Sequence, residues 1–165
     1  KNTFKVRNKV KVNVELFINS FFKKSIKKHI AIYWPLKNEV DIRNLNEKYS
    51  LALPRCKKNK ELLFCSWEDN PLTKDYEGIL APDPSNVLSF DQISMIFVPC
   101  LSVDKNFIRL GYGGGYFDVL RKNKNWNNIP CIGVLTSNCV SKDLLTKADW
   151  DIPLSGFITE KEILV

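Results

Sequence analysis

The chain has 165 residues, of which 44% are hydrophobic and 26% are charged, and this is the size and composition of one globular domain rather than of a disordered polypeptide. No apolar run approaches the roughly 18 residues that a membrane-spanning helix needs. Twenty-five Lys and Arg against 18 Asp and Glu give a net charge of +7, which favours polyanionic partners such as nucleic acids, phosphates or polycarboxylates. A basic surface without a specific anionic partner is the alternative.

The cysteines and the single histidine restrict the redox and metal chemistry. The five cysteines are odd in number and include no Cys-x-x-Cys pair, so neither a disulfide framework nor a zinc finger is indicated. Cys100 and Cys131 lie in apolar runs and are interpreted as small core residues. With no apolar signal-peptide core at the N-terminus, these features predict a cytoplasmic protein. His29 is interpreted as the edge of a strand rather than as a catalytic group.

Hydrophobic patterning, by helical spacing over the first segment and by continuous apolar runs elsewhere, predicts helices that alternate with strands. It predicts an amphipathic helix over 8–22, followed by a solvated helix end or turn with Lys23, Lys24, Lys27 and Lys28. The further predicted elements are, in chain order, a strand over 30–34, a short helix over 39–48, strands over 51–54 and 61–67, a long surface loop over 68–89, a central strand within 94–103, a helix over 116–124, and strands over 130–135 and 157–159. This alternation predicts an α/β layered fold with a largely parallel central sheet flanked by helices.

Four of the seven glycines lie within five residues, at positions 111, 113, 114 and 115. Glycines between a strand and a helix let backbone N–H groups converge on an anion without obstruction by side chains, and the helix start adds its dipole. Arg109 can pair with phosphate oxygens, and Asp118 can hold Mg²⁺ or serve as an acid at a helix start. The pattern predicts a phosphate-binding loop, with a flexible turn as the alternative. It is not a standard motif, because Tyr116 stands where the Walker and dinucleotide patterns need Lys and Gly.

Two segments resemble the signature of a known family. Residues 98–104 read Val-Pro-Cys-Leu-Ser-Val-Asp, and residues 109–118 read Arg-Leu-Gly-Tyr-Gly-Gly-Gly-Tyr-Phe-Asp. Together they closely resemble the signature of the 5-formyltetrahydrofolate cyclo-ligase family. Further landmarks in the same order are residues 32–41, Leu53-Pro54-Arg55, Asp151-Ile152-Pro153-Leu154 and Ile158-Thr159-Glu160, so the resemblance spans residues 28–160.

The resemblance implies ATP- and Mg-dependent cyclisation of 5-formyltetrahydrofolate to 5,10-methenyltetrahydrofolate, with release of ADP and phosphate, through a phosphorylated formyl oxygen. Such catalysis needs positioning and charge neutralisation more than a protein nucleophile. The resemblance implies catalytic roles for Arg109, Tyr116 and Asp118, and a metal site at Asp118 and Asp151. It assigns to ATP the residues Arg109, Leu110, Gly111, Tyr112, Gly113, Gly114, Gly115, Tyr116 and Phe117. It assigns to the folate the residues Trp34, Glu39, Tyr112, Gly113, Gly114, Gly115 and Tyr116.

Several of these residues have structural alternatives. Trp34 is equally interpretable as a core side chain and Glu39 as a solvated helix start, while Asp149 is a near alternative to Asp151. Two basic clusters are interpreted as solvated surface, with the anionic glutamate tail of a folate as the alternative ligand: Lys57, Lys58 and Lys60, and Lys122 with Lys124.

The chain departs from the family pattern in three places. The family opens with a basic helix whose side chains touch ATP, and this helix is expected to precede Lys1 in an otherwise single domain over 1–165. Lys5 and Arg7 are the basic residues that could substitute for it. Val119 stands where the family usually has Arg, and Ser155 stands where the family has a second Asp.

Two other functions are compatible with the residues. One is a basic RNA- or polyanion-binding module that uses the Gly/Tyr segment as a stacking loop. The other is an inactive member of the fold that keeps only a nucleotide site. The ordered motifs favour the enzyme, and they predict a monomer that acts on a small-molecule folate and binds neither a membrane nor nucleic acid.

Overall fold

The computed structural model describes residues 2–22, 28–68 and 71–165. Its first element is helix α1 (Asn2–Phe21), which buries Val10, Val14 and Ile18 completely. Their spacing of four residues places them on one side of the helix. The predicted helix is confirmed, with an earlier start. The lysine-rich turn predicted after it lies, apart from Lys28, outside the described residues.

A seven-stranded sheet forms the centre of the molecule. The strands of the protein, numbered in chain order, are β1 (His29–Ala31), β2 (Leu51–Cys56), β3 (Leu62–Trp67), β4 (Thr73–Lys74), β5 (Leu80–Ala81), β6 (Ile93–Pro99), β7 (Ser102–Val103), β8 (Arg109–Leu110), β9 (Cys131–Val134), β10 (Gly156–Ile158) and β11 (Ile163–Leu164). The order in the sheet is β3-β2-β1-β6-β9-β10-β11. The edge strands β3 and β11 run antiparallel to their neighbours and the other pairs are parallel, so the predicted largely parallel sheet is confirmed.

Helices cover both faces of this sheet. α1 packs on one face, together with Ile30 of β1 and Ile32, the first residue after β1. On the other face, Ala31 belongs to the cluster that packs against α2 (Tyr116–Arg121) and α3 (Lys124–Asn127). Successive strand side chains point to opposite faces, which explains why neighbouring residues of β1 belong to different clusters. The predicted layered α/β architecture is therefore confirmed.

Two predicted elements are shorter than expected. The strand predicted over 30–34 ends at Ala31, and in the segment that follows the buried Tyr33 hydroxyl donates to the Val40 carbonyl at 2.5 Å. The helix predicted over 39–48 is a 3-10 segment, Arg43–Glu47. The Asp41 carboxylate accepts from both the backbone and the guanidinium of Arg43, and such local bonds compete with a regular α-helix.

Three other predicted elements are divided. The helix predicted over 116–124 becomes α2 and α3, because the Asn123 side chain accepts from the Asn125 N–H and begins a new helix. The stretch 94–103 contains both β6 and β7, and the loop predicted over 68–89 contains the small β4–β5 hairpin. Strand β11 lies beyond the last predicted element.

The direction of the chain across the sheet reverses between β1 and β6. From β1 the chain runs outward through β2 to β3, and it then crosses to β6 on the other side of β1 and continues through β9 to β10. In parallel sheets a crevice opens at the carboxyl ends of the strands where the order reverses, and ligands bind there. The turn after β1 and the β7–β8 hairpin after β6 both leave from this edge. In the described part of the chain, no helix is long and apolar enough to cross a membrane.

Candidate active site

The glycine loop (111–115) follows the β7–β8 hairpin directly and leads into α2. Gly113 and Gly115 have φ angles of +86° and +72°, a backbone conformation that other L-residues rarely adopt. A Cβ added to Gly113 would meet nothing within 4 Å, so this part of the loop faces open space. The loop can therefore accept a ligand against its backbone.

Arg109 supports the glycine loop from the protein side. Its side chain is 13% exposed, and Nη1 donates to the Pro99 carbonyl at 3.2 Å. A Cβ on Gly111 would lie 2.8 Å from Nη1, so a side chain at this position would displace the guanidinium from its present place. Nη2 lies 3.9 Å from Asp118 Oδ2, and the guanidinium carbon lies 5.5 Å from the centre of the Phe117 ring. Arg109 thus joins β6, the loop and α2.

Glu39 lies in the turn after β1, close to Arg109 and to the glycine loop. Its Oε2 accepts from the Leu36 N–H at 2.7 Å. Burial raises the pKa of the Glu39 carboxyl, although this hydrogen bond and the charge of Arg109 oppose the rise. Burial, and next the charge of Glu39, raise the pKa of Tyr112 in the loop. The structure therefore brings together Glu39, Arg109 and Tyr112, which the sequence places up to 73 positions apart.

Arg7 approaches the same turn from α1. Its Nη2 donates to the Asn38 carbonyl at 3.2 Å, so a cation of the first helix stands next to the residue that precedes Glu39. Trp34, in contrast, has protein partners: the Arg43 guanidinium lies 4.1 Å from its ring centre, and Trp67 packs edge-on at 6.3 Å. Trp34 also packs partly buried against the core on the α1 face.

Tyr116 connects the start of α2 with two other segments. Its hydroxyl donates to a Glu77 carboxylate oxygen and lies 3.4 Å from the Lys57 carbonyl. The hydrogen bond to Glu77, followed by desolvation, raises the pKa of this phenol well above its usual range. Glu77 belongs to the β4–β5 hairpin, which is fixed to the end of β2 because the Cys56 N–H donates to Asp75 Oδ2 at 2.8 Å. None of these contacts was predicted from the sequence.

The two predicted metal ligands have different surroundings. Asp118 points toward Arg109, whereas Asp151 Oδ2 accepts from the Ala148 N–H at 2.8 Å and stabilises a local turn. Arg121, one helical turn after Asp118, donates to the carbonyls of Ile152 and Pro153 and so fixes the segment next to Asp151. Among the described residues, no group of three or more His, Cys, Asp or Glu side chains could hold a metal ion by itself. Asp118 and Asp151 offer carboxylate oxygens, and Mg²⁺ in proteins takes one or two carboxylates and completes its coordination with phosphate oxygens and water.

Asp104 supports the candidate active site, although no role was predicted for it from the sequence. It is 1% exposed, and its carboxylate accepts from the backbone N–H groups of Asn106, Ile108 and Leu145. It therefore stabilises the β7–β8 hairpin, which carries Arg109. The available signal was its position at the end of the first family motif, directly before a polar turn.

Two cavities lie at the opposite, amino edge of the sheet. One of about 730 Å³ is lined by His29, Tyr49, Ser66 and Glu68 among others, and one of about 520 Å³ lies beside Ile93. His29 Nε2 lies 3.0 Å from Ser66 Oγ. The glycine loop lines neither cavity, so the single histidine stands away from the candidate active site.

Solved structures identify the class of fold. The chain is similar to a 5,10-methenyltetrahydrofolate synthetase from Mycoplasma pneumoniae, with a TM-score of 0.70, 24% identity, and coverage of 96% of this chain and 87% of that one. A 5,10-methenyltetrahydrofolate synthetase from Aquifex aeolicus gives a TM-score of 0.74 and 26% identity over 96% of this chain and 80% of that one. The fold is therefore that of the methenyltetrahydrofolate synthetases.

Sequence comparisons identify the family. The 5-formyltetrahydrofolate cyclo-ligase family model matches residues 8–160. A 5-formyltetrahydrofolate cyclo-ligase of Haemophilus influenzae is 31% identical over 138 residues, which are 77% of this chain and 73% of the relative. One of Escherichia coli strain K12 is 29% identical over 82 residues, 49% of this chain and 44% of that relative. The chain belongs to the 5-formyltetrahydrofolate cyclo-ligase family, and the predicted family and enzyme class are confirmed.

Proposed function

We propose that the protein converts 5-formyltetrahydrofolate to 5,10-methenyltetrahydrofolate at the glycine loop, with ATP as co-substrate. The observation that carries the proposal is the loop at the carboxyl edge of the sheet, with Gly113 open to solvent, Arg109 fixed beneath it and Glu39 beside it. Membership of the family adds support, because the relatives bear the name of this activity.

ATP would bind with its phosphates along residues 109–117. Backbone N–H groups can converge on phosphate oxygens there, since glycines place no side chain in the way. Arg109 keeps the loop in shape, and its remaining N–H donors can face the phosphates. α2 has only six residues, so its dipole contributes less than the predicted helix would have done.

The folate would bind on the side of Glu39. A carboxylate accepts hydrogen bonds only, which suits the paired N–H donors of a pterin ring. Tyr112 shares the neighbourhood of Glu39, and Tyr116 borders the other end of the loop. Trp34 would contact the folate only with the part of its ring that Arg43 and Trp67 leave uncovered.

The reaction proceeds in two steps. The formyl oxygen attacks the γ-phosphorus of ATP, and ADP departs. Nitrogen 10 of the folate then attacks the formyl carbon and loses its proton, and the C–O bond breaks as phosphate departs, which leaves the methenyl bridge. Phosphorylation makes the formyl oxygen a good leaving group, so positioning and charge stabilisation suffice. This scheme needs no cysteine nucleophile, in agreement with Cys100, whose pKa burial raises to about 12.

Mg²⁺, when bound, neutralises charge on the phosphates of the nucleotide. Asp118 and Asp151 are the residues that would hold it. We also propose a cytoplasmic location, which the five free cysteines support.

The test is a spectroscopic assay of the purified protein with 5-formyltetrahydrofolate, ATP and Mg²⁺. We expect the ultraviolet absorbance of the methenyl product to increase only when ATP is present. A control without protein corrects for spontaneous cyclisation of the substrate. A folded protein, verified by circular dichroism, that forms no product with ATP would overturn the proposal.

A further inference from the structure

The turn between β2 and β3 (Lys57–Glu61) lies against the glycine loop. The Tyr116 hydroxyl lies 3.4 Å from the Lys57 carbonyl, and Lys60 Nζ lies 3.5 Å from the position that a Cβ on Gly115 would occupy. The turn follows the carboxyl end of β2 and therefore stands at the same edge of the sheet as the glycine loop. A cation from a distant part of the sequence is thus placed directly beside the candidate phosphate site.

The backbone of this turn is held in an unfavourable conformation. Asn59 and Lys60 have φ angles of 62° and 61°, in the left-handed region that Asn tolerates and Lys rarely adopts. The turn is closed by the Lys57 N–H, which donates to the Glu61 carbonyl at 2.8 Å. Backbone strain of this kind concentrates at functional sites, and here it fixes the direction in which the Lys60 side chain leaves the turn.

The charges of the turn distinguish Lys60 from its neighbours. Lys57 forms an ion pair with Glu61 at 3.4 Å, whereas Lys60 forms no ion pair among the described residues. Arg109, the other cation at the loop, is largely buried and donates to the Pro99 carbonyl. Lys60 is exposed, and an ammonium on a flexible stem can follow a phosphate as a point charge.

We propose that Lys60 binds the phosphates of the nucleotide at the glycine loop and so determines the affinity of the enzyme for ATP. This inference rests on the proposed function, and it adds a nucleotide-binding residue from the β2–β3 turn. Arg109 then positions the loop from below, while Lys60 contacts the anion from the side of Gly115.

The experiment compares Lys60→Ala with Lys58→Ala, an exposed lysine of the same turn. Lys60→Gly serves as a second variant, because glycine adopts the positive φ without strain and removes the same charge. We expect both Lys60 variants to raise the KM for ATP about 10-fold or more, in line with loss of a hydrogen bond to a charged group, and to leave the KM for 5-formyltetrahydrofolate within about twofold. Lys58→Ala should change neither constant by more than about twofold, and Lys60→Arg should retain most of the ATP affinity.

Calorimetric titration of ATP into the folate-free protein provides a second readout, and the Kd should rise by the same factor as the KM. If the wild type is active and both Lys60 variants bind ATP with unchanged affinity, this inference is overturned and the proposed function is left intact. An increase confined to the KM of a polyglutamylated folate would also overturn it, since it would assign Lys60 to the folate tail. Absence of ATP-dependent product from the wild type would instead contradict the proposed function itself.

Discussion

Glu39 is the titratable residue of the candidate active site whose environment has the clearest energetic consequence. Burial raises the pKa of its carboxyl above the ordinary value of 4.5. The ionised form therefore carries an energetic cost in the folded state, and this cost is complete at pH values above the folded-state pKa. Below the unfolded-state pKa the carboxyl is protonated in both states, and the cost disappears. The folded state is thus destabilised by Glu39, the residue that the proposed function assigns to the pterin.

We predict that Glu39→Gln raises the free energy of unfolding at pH 7 by less than about 1 kcal/mol, because the side chain is only half-buried and solvent screens its charge. The gain should decrease as the pH falls and should vanish below pH 4.5, the ordinary pKa of the carboxyl. Urea denaturation at a series of pH values measures it, with the exposed Glu47→Gln as the control. A gain that increases on acidification would contradict the assigned direction. The same variant should weaken folate binding, since the amide replaces one acceptor with a donor.

At the scale of elements, the β7–β8 hairpin depends on one buried carboxylate. The Asp104 carboxylate accepts hydrogen bonds from three backbone N–H groups. One of them belongs to Leu145, so Asp104 joins the hairpin to a segment 41 positions further along the chain. The hairpin in turn carries Arg109 beneath the glycine loop. The geometry of the loop is therefore fixed partly by a residue that touches neither proposed substrate.

We predict that Asp104→Ala lowers the free energy of unfolding by about 2–4 kcal/mol, because it leaves buried N–H donors without partners. Asp143→Ala, an exposed position in the same segment as Leu145, should change it by less than about 0.5 kcal/mol. Chemical denaturation of both variants compares the two. Equal, small losses would show that water replaces the carboxylate at no cost.

The sequence predicted the long elements and missed the short ones for a physical reason. α1, β3 and β6 bury several apolar side chains each, and this leaves helical spacing in α1 and apolar runs in the two strands. β4, β5 and β11 contain two residues each, too few for any period, and they form because longer-range contacts hold them. The prediction of a helix over 39–48 was wrong because the Asp41 side chain accepts the hydrogen bond of the Arg43 N–H, and such bonds compete with those of an α-helix.

The glycine loop of the candidate active site could be predicted from the sequence, but the long-range contacts that hold the loop in place could not. Four clustered glycines between a strand and a helix predict an anion site, and this remains a prediction. The close approach of Gly111 to Arg109, the hydrogen bond from Tyr116 to Glu77 and the placement of Lys60 beside Gly115 depend on strands that are distant in sequence. No local pattern encodes such contacts, because they exist only once the sheet order is established.

At the scale of the whole molecule, the described residues form two clusters of buried apolar side chains on the two faces of one sheet, without a cluster of metal-ligating groups. We therefore expect folding to be independent of divalent cations, whereas the proposed reaction requires Mg²⁺. The proposed Mg²⁺ needs the nucleotide as well as the protein, since carboxylates alone complete too little of its coordination.

We predict that EDTA abolishes product formation while it changes the melting temperature of the nucleotide-free protein by less than about 1 °C. Saturating ATP with Mg²⁺ should raise the melting temperature by about 5 °C, as expected for a ligand that binds only the native state. Differential scanning fluorimetry with and without EDTA measures both effects. A lower melting temperature in EDTA alone would indicate a structural metal and contradict the proposed arrangement.

The two cavities at the amino edge have a practical consequence for inhibitor discovery. The glycine loop has the cations Arg109 and Lys60 beside it, and it lines neither of the two cavities, which lie at the other end of the strands. Compounds chosen to fill these two cavities would therefore not occupy the proposed nucleotide site. Compounds that compete with ATP at the proposed site would need anionic groups that replace a triphosphate, so their binding would depend more on electrostatics than on enclosure.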